Sequence, residues 1–84
     1  MRQLRNSVQQ LLRETRWRTG LTQQELAERS GLSIRTISDI ERGHVLYPRA
    51  ATLRMLACAL GMDETQTADF LLVARAAEIL GRQA

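Results

Sequence analysis

An all-α fold, a compact bundle of five helices, is what this sequence predicts, and three observations carry the prediction. Apolar residues recur at the three-and-four spacing of helix faces. Five glycines and one proline are the only strong breakers in 84 residues, and runs of β-branched or aromatic residues are absent. A chain of this length has room for one small domain with one core, which leaves no space for a two-domain enzyme with a deep cleft. Residues 1–84 therefore read as a single domain, with its central motif at about 21–43 and a C-terminal helix at about 63–80.

Each helix has its own local reason. Val8, Leu11, Leu12 and Thr15 share one face of a first helix that ends near Gly20, in a segment with arginines at 2, 5, 13, 16 and 18. Thr22 then opens the run TQQE, so its hydroxyl can cap the amide of Glu25 while the Glu25 carboxylate reaches back to the amide of Thr22. That second helix buries Leu26 and Ala27 and stops at Gly31, a residue able to take the left-handed conformation at a helix end. Ser33 caps a third helix, Ile34 to Arg42, stopped by Gly43. Leu46, Tyr47 and Pro48 form a loop. Leu53, Leu56, Ala57 and Leu60 line a fourth helix up to Gly61, and Asp63 with Gln66 repeats the capping pattern to open a fifth that runs to about Leu80.

Composition narrows the function. The formal charge is +3, and all 12 basic residues are arginine, whose planar fork suits phosphates and guanine edges. Residues 1–54 carry ten arginines against five acids, and residues 55–84 two against four, so a basic head bears a slightly acidic tail. The single cysteine, Cys58, excludes an internal disulfide, and with a single histidine, His44, the chain lacks soft ligands for a metal site. Nothing implies a cofactor. No apolar run approaches the roughly 18 residues of a membrane span, and the start lacks the apolar core of a signal peptide, so a cytoplasmic location is expected.

The middle of the chain shows what the head is for. Ala27 permits close approach of two helices, Gly31 makes a sharp turn, and Ile37 and Ile40 anchor one face of the third helix, which is helix-turn-helix spacing. In that geometry the second helix of the pair projects and fits the roughly 12 Å wide major groove of B-DNA. At about 100° per residue, Arg35, Ser38, Asp39 and Arg42 fall opposite the two isoleucines.

The stretch LTQQELAERSGLSIRTISDIERG, followed by PR and LACALG, resembles the lambda-repressor-like, or Cro and XRE-type, DNA-binding proteins over roughly Leu12 to Gly61. The resemblance implies a bundle of four or five helices, usually acting as a dimer on a two-fold, inverted-repeat operator in double-stranded DNA. It implies that Gln23 contacts a phosphate, that Ser33, Ile34, Arg35, Thr36 and Asp39 approach bases or flanking backbone, and that Arg16 and Glu41 tie the first helix to the third. The extra helix beyond Gly61 departs from the shortest members, and similar heads also begin long bacterial regulators.

Plainer roles stand beside these. Arg35 and Asp39, four apart, can bridge each other in water for a few tenths of a kcal/mol; a base contact by Arg35 is preferred because it lies near the projecting start of the helix. Asp39 either accepts from a cytosine amino group or orients Arg35, and orientation is favoured. Ile34 is expected to be partly core, its one reading target being a thymine methyl. Ser38, Arg42 and Arg49 are candidates for phosphate or minor-groove contact, with solvated loop arginines as the alternative. His44 is expected to be solvated, Trp17 to pack on the first helix, and Cys58 to be a half-buried structural thiol. In the fifth helix, Phe70, Val73, Ala74 and Ala77 form one apolar arc and Ala68, Leu72, Ala76 and Ile79 another. The first is assigned to the core and the second to a homodimer. The expected function is sequence-specific DNA binding by a bacterial transcriptional regulator, not catalysis. The alternative is a helical interaction module or antitoxin-like adaptor that uses the fifth helix.

Overall fold

A computed structural model describes residues 7–83, with side chains through residue 81. Arg2 and Arg5 lie outside the described residues. Five helices follow one another: α1 (Val8–Arg18), α2 (Gln23–Ser30), α3 (Ile34–Glu41), α4 (Ala50–Ala59) and α5 (Glu64–Gln83). Among the described residues the fold is all-helical, and α2 and α3 form the helix-turn-helix.

The helix starts are made by short polar side chains accepting from first-turn amides. Ser7 Oγ accepts from Gln10 N at 3.1 Å. At α2 the reciprocal pair is complete: Thr22 Oγ1 accepts from Glu25 N at 3.0 Å and Glu25 Oε1 accepts from Thr22 N at 2.9 Å. These hydrogen bonds hold the Glu25 carboxyl below the usual glutamate range, with a smaller contribution from Arg29. Asp63 and Gln66 form the same arrangement before α5, at 2.7 and 2.9 Å. Gly31 adopts φ 79° at the end of α2, where its N–H donates to Ala27 O at 3.0 Å and the chain reverses into α3.

All five helices contribute to one apolar core. Val8 and Leu12 of α1, Leu26 of α2, Ile37 and Ile40 of α3, Leu53 and Leu56 of α4, and Phe70 of α5 are buried almost completely. Helix α5 lies on α4 and α1, while α2 lies on α3 and α4. Phe70 and Ala74 face the core, as the two-arc pattern expects, with Val73 and Ala77 half-buried at its border. Ala68, Leu72, Ala76 and Ile79 are exposed. The helix continues past Leu80, because a glycine alone does not stop a helix that another element supports. The hydroxyl of Tyr47, from the loop before α4, occupies the space that a Cβ on Gly81 would fill.

Two apolar residues lie elsewhere than expected. Trp17 is 63% exposed, because the buried line of α1 runs through Val8, Leu12 and Arg16 and the next residue is turned about 100° away. Its ring lies 5.8 Å from the guanidinium carbon of Arg13, within cation–π range. Cys58 is exposed rather than half-buried, since the buried side of α4 runs through Leu53, Leu56, Ala57 and Leu60.

Candidate nucleic-acid interface

A buried ion pair sets the position of α3. Arg16 Nε donates to Glu41 Oε2 at 2.7 Å and Arg16 Nη2 to Glu41 Oε1 at 2.9 Å, a bidentate fork between α1 and α3. Both residues are buried and further bonds support them: Arg16 Nη1 donates to Leu21 O at 3.0 Å, and Gln23 Nε2 donates to Glu41 Oε1 at 3.1 Å. Arg13 Nη1 adds a bond to the Glu41 carbonyl at 3.3 Å. An ion pair taken out of water is tolerable only with this kind of satisfaction. Its consequence is geometric: α1, the start of α2 and the end of α3 become one rigid frame.

Gln23 is half-buried within that frame. One hydrogen of its amide nitrogen is committed to Glu41, and the second remains for an acceptor in front of α2.

Helix α3 turns Ile37 and Ile40 inward and a polar side outward. Ser33 caps it through Thr36 N at 3.0 Å, and the Ser33 and Thr36 hydroxyls lie 2.9 Å apart, so these two side chains bond to each other. The Arg35 side chain is 89% exposed. Ile34, the first residue of α3, is 43% exposed and stands outside the core cluster, where a partly core position was expected. Ser38 and Asp39 are half-buried and Arg42, at the C-cap, is exposed. Asp39 Oδ2 lies 3.8 Å from Arg35 Nε, and Asp39 Oδ1 lies 3.4 Å from His44 Nδ1. His44, although exposed, is therefore engaged with α3 rather than simply solvated, which the sequence spacing did not reveal.

Arg49 is the N-cap of α4 and supplies no capping bond. It shares a groove of about 470 Å³ with Arg54 of α4, Arg75 of α5 and the apolar Leu53, Leu71 and Ala74. The convergence of Arg49 with Arg54 and Arg75 escaped sequence reasoning, because Arg75 lies in a different helix and only the docking of α5 on α4 brings it near. The structure thus gathers Ser33, Ile34, Arg35, Thr36, Ser38, Asp39 and Arg42 on or beside one helix, sets Gln23 against the base of that helix through Glu41, and gives Arg49 a separate setting in the groove.

Among the described residues no group of His, Cys, Asp or Glu has the arrangement to hold a metal ion, and no helix is long and apolar enough to cross a membrane. A family model described as a helix-turn-helix domain matches residues 10–70. Neither curated proteins nor solved structures gave a match.

Proposed function

The chain belongs to the helix-turn-helix domain family, and on that premise we propose that it reads a specific sequence in double-stranded DNA, with α3 in the major groove, as the DNA-binding domain of a bacterial transcriptional regulator. The observation that carries this reading is the chemistry of α3: isoleucines lock its inner side, while its outer side offers an arginine 89% exposed beside a half-exposed carboxylate. Arg35 forks onto guanine O6 and N7, and Gln23, Ser38, Arg42 and Arg49 meet phosphates or, for Arg49, the minor groove. Ser33 and Thr36, bonded to each other, support the helix start close to the backbone, and Ile34 offers an apolar contact to a thymine methyl. This role belongs to the bacterial cytoplasm, at the nucleoid.

The same reading includes a homodimer on an inverted-repeat site. Leu72 is 66% exposed, and with Ile79 it lies seven residues apart on the outer side of α5, so a second copy can cover both. A two-fold pair would set its α3 helices about one DNA turn, roughly 34 Å, apart. That exposed stripe also favours a second reading, a partner-binding adaptor in which DNA contact is weak.

Selection of bound duplexes from a random pool, followed by titration of the best one, separates the two. We expect an enriched inverted repeat, affinity that falls steeply with salt, and a loss of about 1 to 3 kcal/mol for Arg35→Ala on the selected site with a flattened preference at one base position. Equal weakening of selected and random DNA in that variant reduces Arg35 to a phosphate contact. Binding insensitive to salt puts the adaptor reading in front.

A further inference from the structure

Asp39 lies between two nitrogen-bearing side chains, and only one of them belongs to its own helix. Arg35 is one turn back on α3; His44 comes from the loop that follows. The backbone delivers the imidazole there. Asp39 O accepts from His44 N at 2.8 Å and from Val45 N at 3.2 Å. From the other side, Gln9 of α1 donates through Nε2 to the carbonyls of Val45 and Leu46 at 3.1 and 3.2 Å. The loop is thereby fastened to both α1 and α3, and His44 Nδ1 is held 3.4 Å from Asp39 Oδ1.

We propose that His44 is a positioning residue for base reading: as an imidazolium it holds Asp39 Oδ1, leaving Oδ2 to fix the Arg35 guanidinium, and the protein takes up a proton as it binds DNA. The inference rests on α3 being the DNA-reading helix. A carboxylate carried toward phosphates is repelled unless cations accompany it. If Arg35 were the sole cation beside Asp39, it would have to neutralise the carboxylate and fork onto a base at once. A second cation on Oδ1 releases it from the first task. Histidine is the side chain whose ordinary charge change falls between pH 5 and 8. A cation at this place is drawn by the field of the phosphates and lies just past the carboxyl end of α3.

Other charged groups surround this exit. Glu41 is buried on Arg16, Arg13 donates to the Glu41 carbonyl, and Arg35 and Arg42 keep their charge at any pH of interest. The chain contains no second histidine. The sign follows from linkage. DNA favours the protonated form, so binding is tightest where the free protein already carries the proton and weakens as pH rises through the interval between the free and bound titrations. A tenfold higher proton affinity in the complex appears as tenfold tighter binding at the acid end.

The test is anisotropy titration of the whole chain against its selected duplex between about pH 5.5 and 8.5 at constant ionic strength. The native chain should weaken by about three- to tenfold across that range, with base preference at the Arg35 position relaxing in step. His44→Gln should be flat at the weaker level and His44→Arg, a permanent cation, flat near the tighter level. His44 is exposed, so neither change should disturb the fold, which circular dichroism verifies. A flat native profile, or the native slope persisting in His44→Gln, overturns the inference while leaving DNA reading intact. A native chain that enriches no duplex at all removes the premise and the inference together.

Discussion

Helices α3 and α5 bury one side on the same core, but only α3 adds a charged residue to that side, and their outer sides differ altogether. The inner side of α3 combines Ile37 and Ile40 with the charged Glu41, and its outer side carries Arg35, Ser38 and Asp39. The inner side of α5 is Phe70 and Ala74, and its outer side carries Leu72 and Ile79. The difference teaches that one helical period serves two purposes. A helix that must be held at a fixed angle uses a directional, bidentate ion pair, whereas a helix that is held by area alone uses an aromatic ring. Outer faces then differ by partner: an arginine face suits a polyanion, an apolar face a second protein surface.

The largest expected effect breaks the inner side of α5. Phe70→Ala should cost about 3 to 5 kcal/mol, because a buried ring is removed and the cavity only partly collapses. Urea denaturation measures it, and a loss below about 1 kcal/mol would show that α5 contributes little to the core. Next comes the inner side of α3. Glu41→Ala leaves the buried Arg16 without its carboxylate and should cost about 3 kcal/mol, the lower end for a broken buried pair because the Arg16 side chain keeps 10% of its surface. Replacing both residues with apolar ones of similar volume should recover much of the stability; persistence of the full loss would mean that Gln23 and Leu21, not the charge pair, depend on this cluster.

The outer side of α5 should behave differently from its inner side. Leu72→Glu should change the unfolding free energy of a monomer by no more than about 0.5 kcal/mol, the range of surface substitutions, while abolishing self-association in sedimentation equilibrium. An unfolded variant would mean that the outer stripe is needed for the fold itself, and an unchanged dimer would move the interface elsewhere. The smallest effect concerns the start of the motif. The Glu25 carboxyl is held low by its bonds to Thr22, so its contribution is complete above the ordinary glutamate range and disappears as pH falls through the depressed value. Glu25→Ala should therefore melt slightly earlier than the native chain at neutral pH, with the two curves meeting in acid. A gap that persists in acid would assign the effect to helix propensity rather than to the cap.

The helices themselves were legible in the sequence because their determinants are neighbours along the chain. Thr22 and Glu25, Asp63 and Gln66, and the glycine at 31 act within one turn, and the spacing of Ile37 and Ile40 states which side of α3 is inner whatever covers it. The pairing of Arg16 with Glu41 could be anticipated from resemblance alone, since 25 residues separate them. Tertiary structure decided the rest. Trp17 is left exposed because the line buried on α1 passes through Arg16 instead, a choice made by Glu41 across the interface. Gly81 continues a helix where its type suggests an end, and the Tyr47 hydroxyl lies where a Cβ at this position would be. Arg49 shares its groove with Arg75 only after α5 docks on α4. Local hydrogen bonds and periodicity fix how each segment folds. Which exposed groups meet depends on distances between segments, and those arise from packing the whole core.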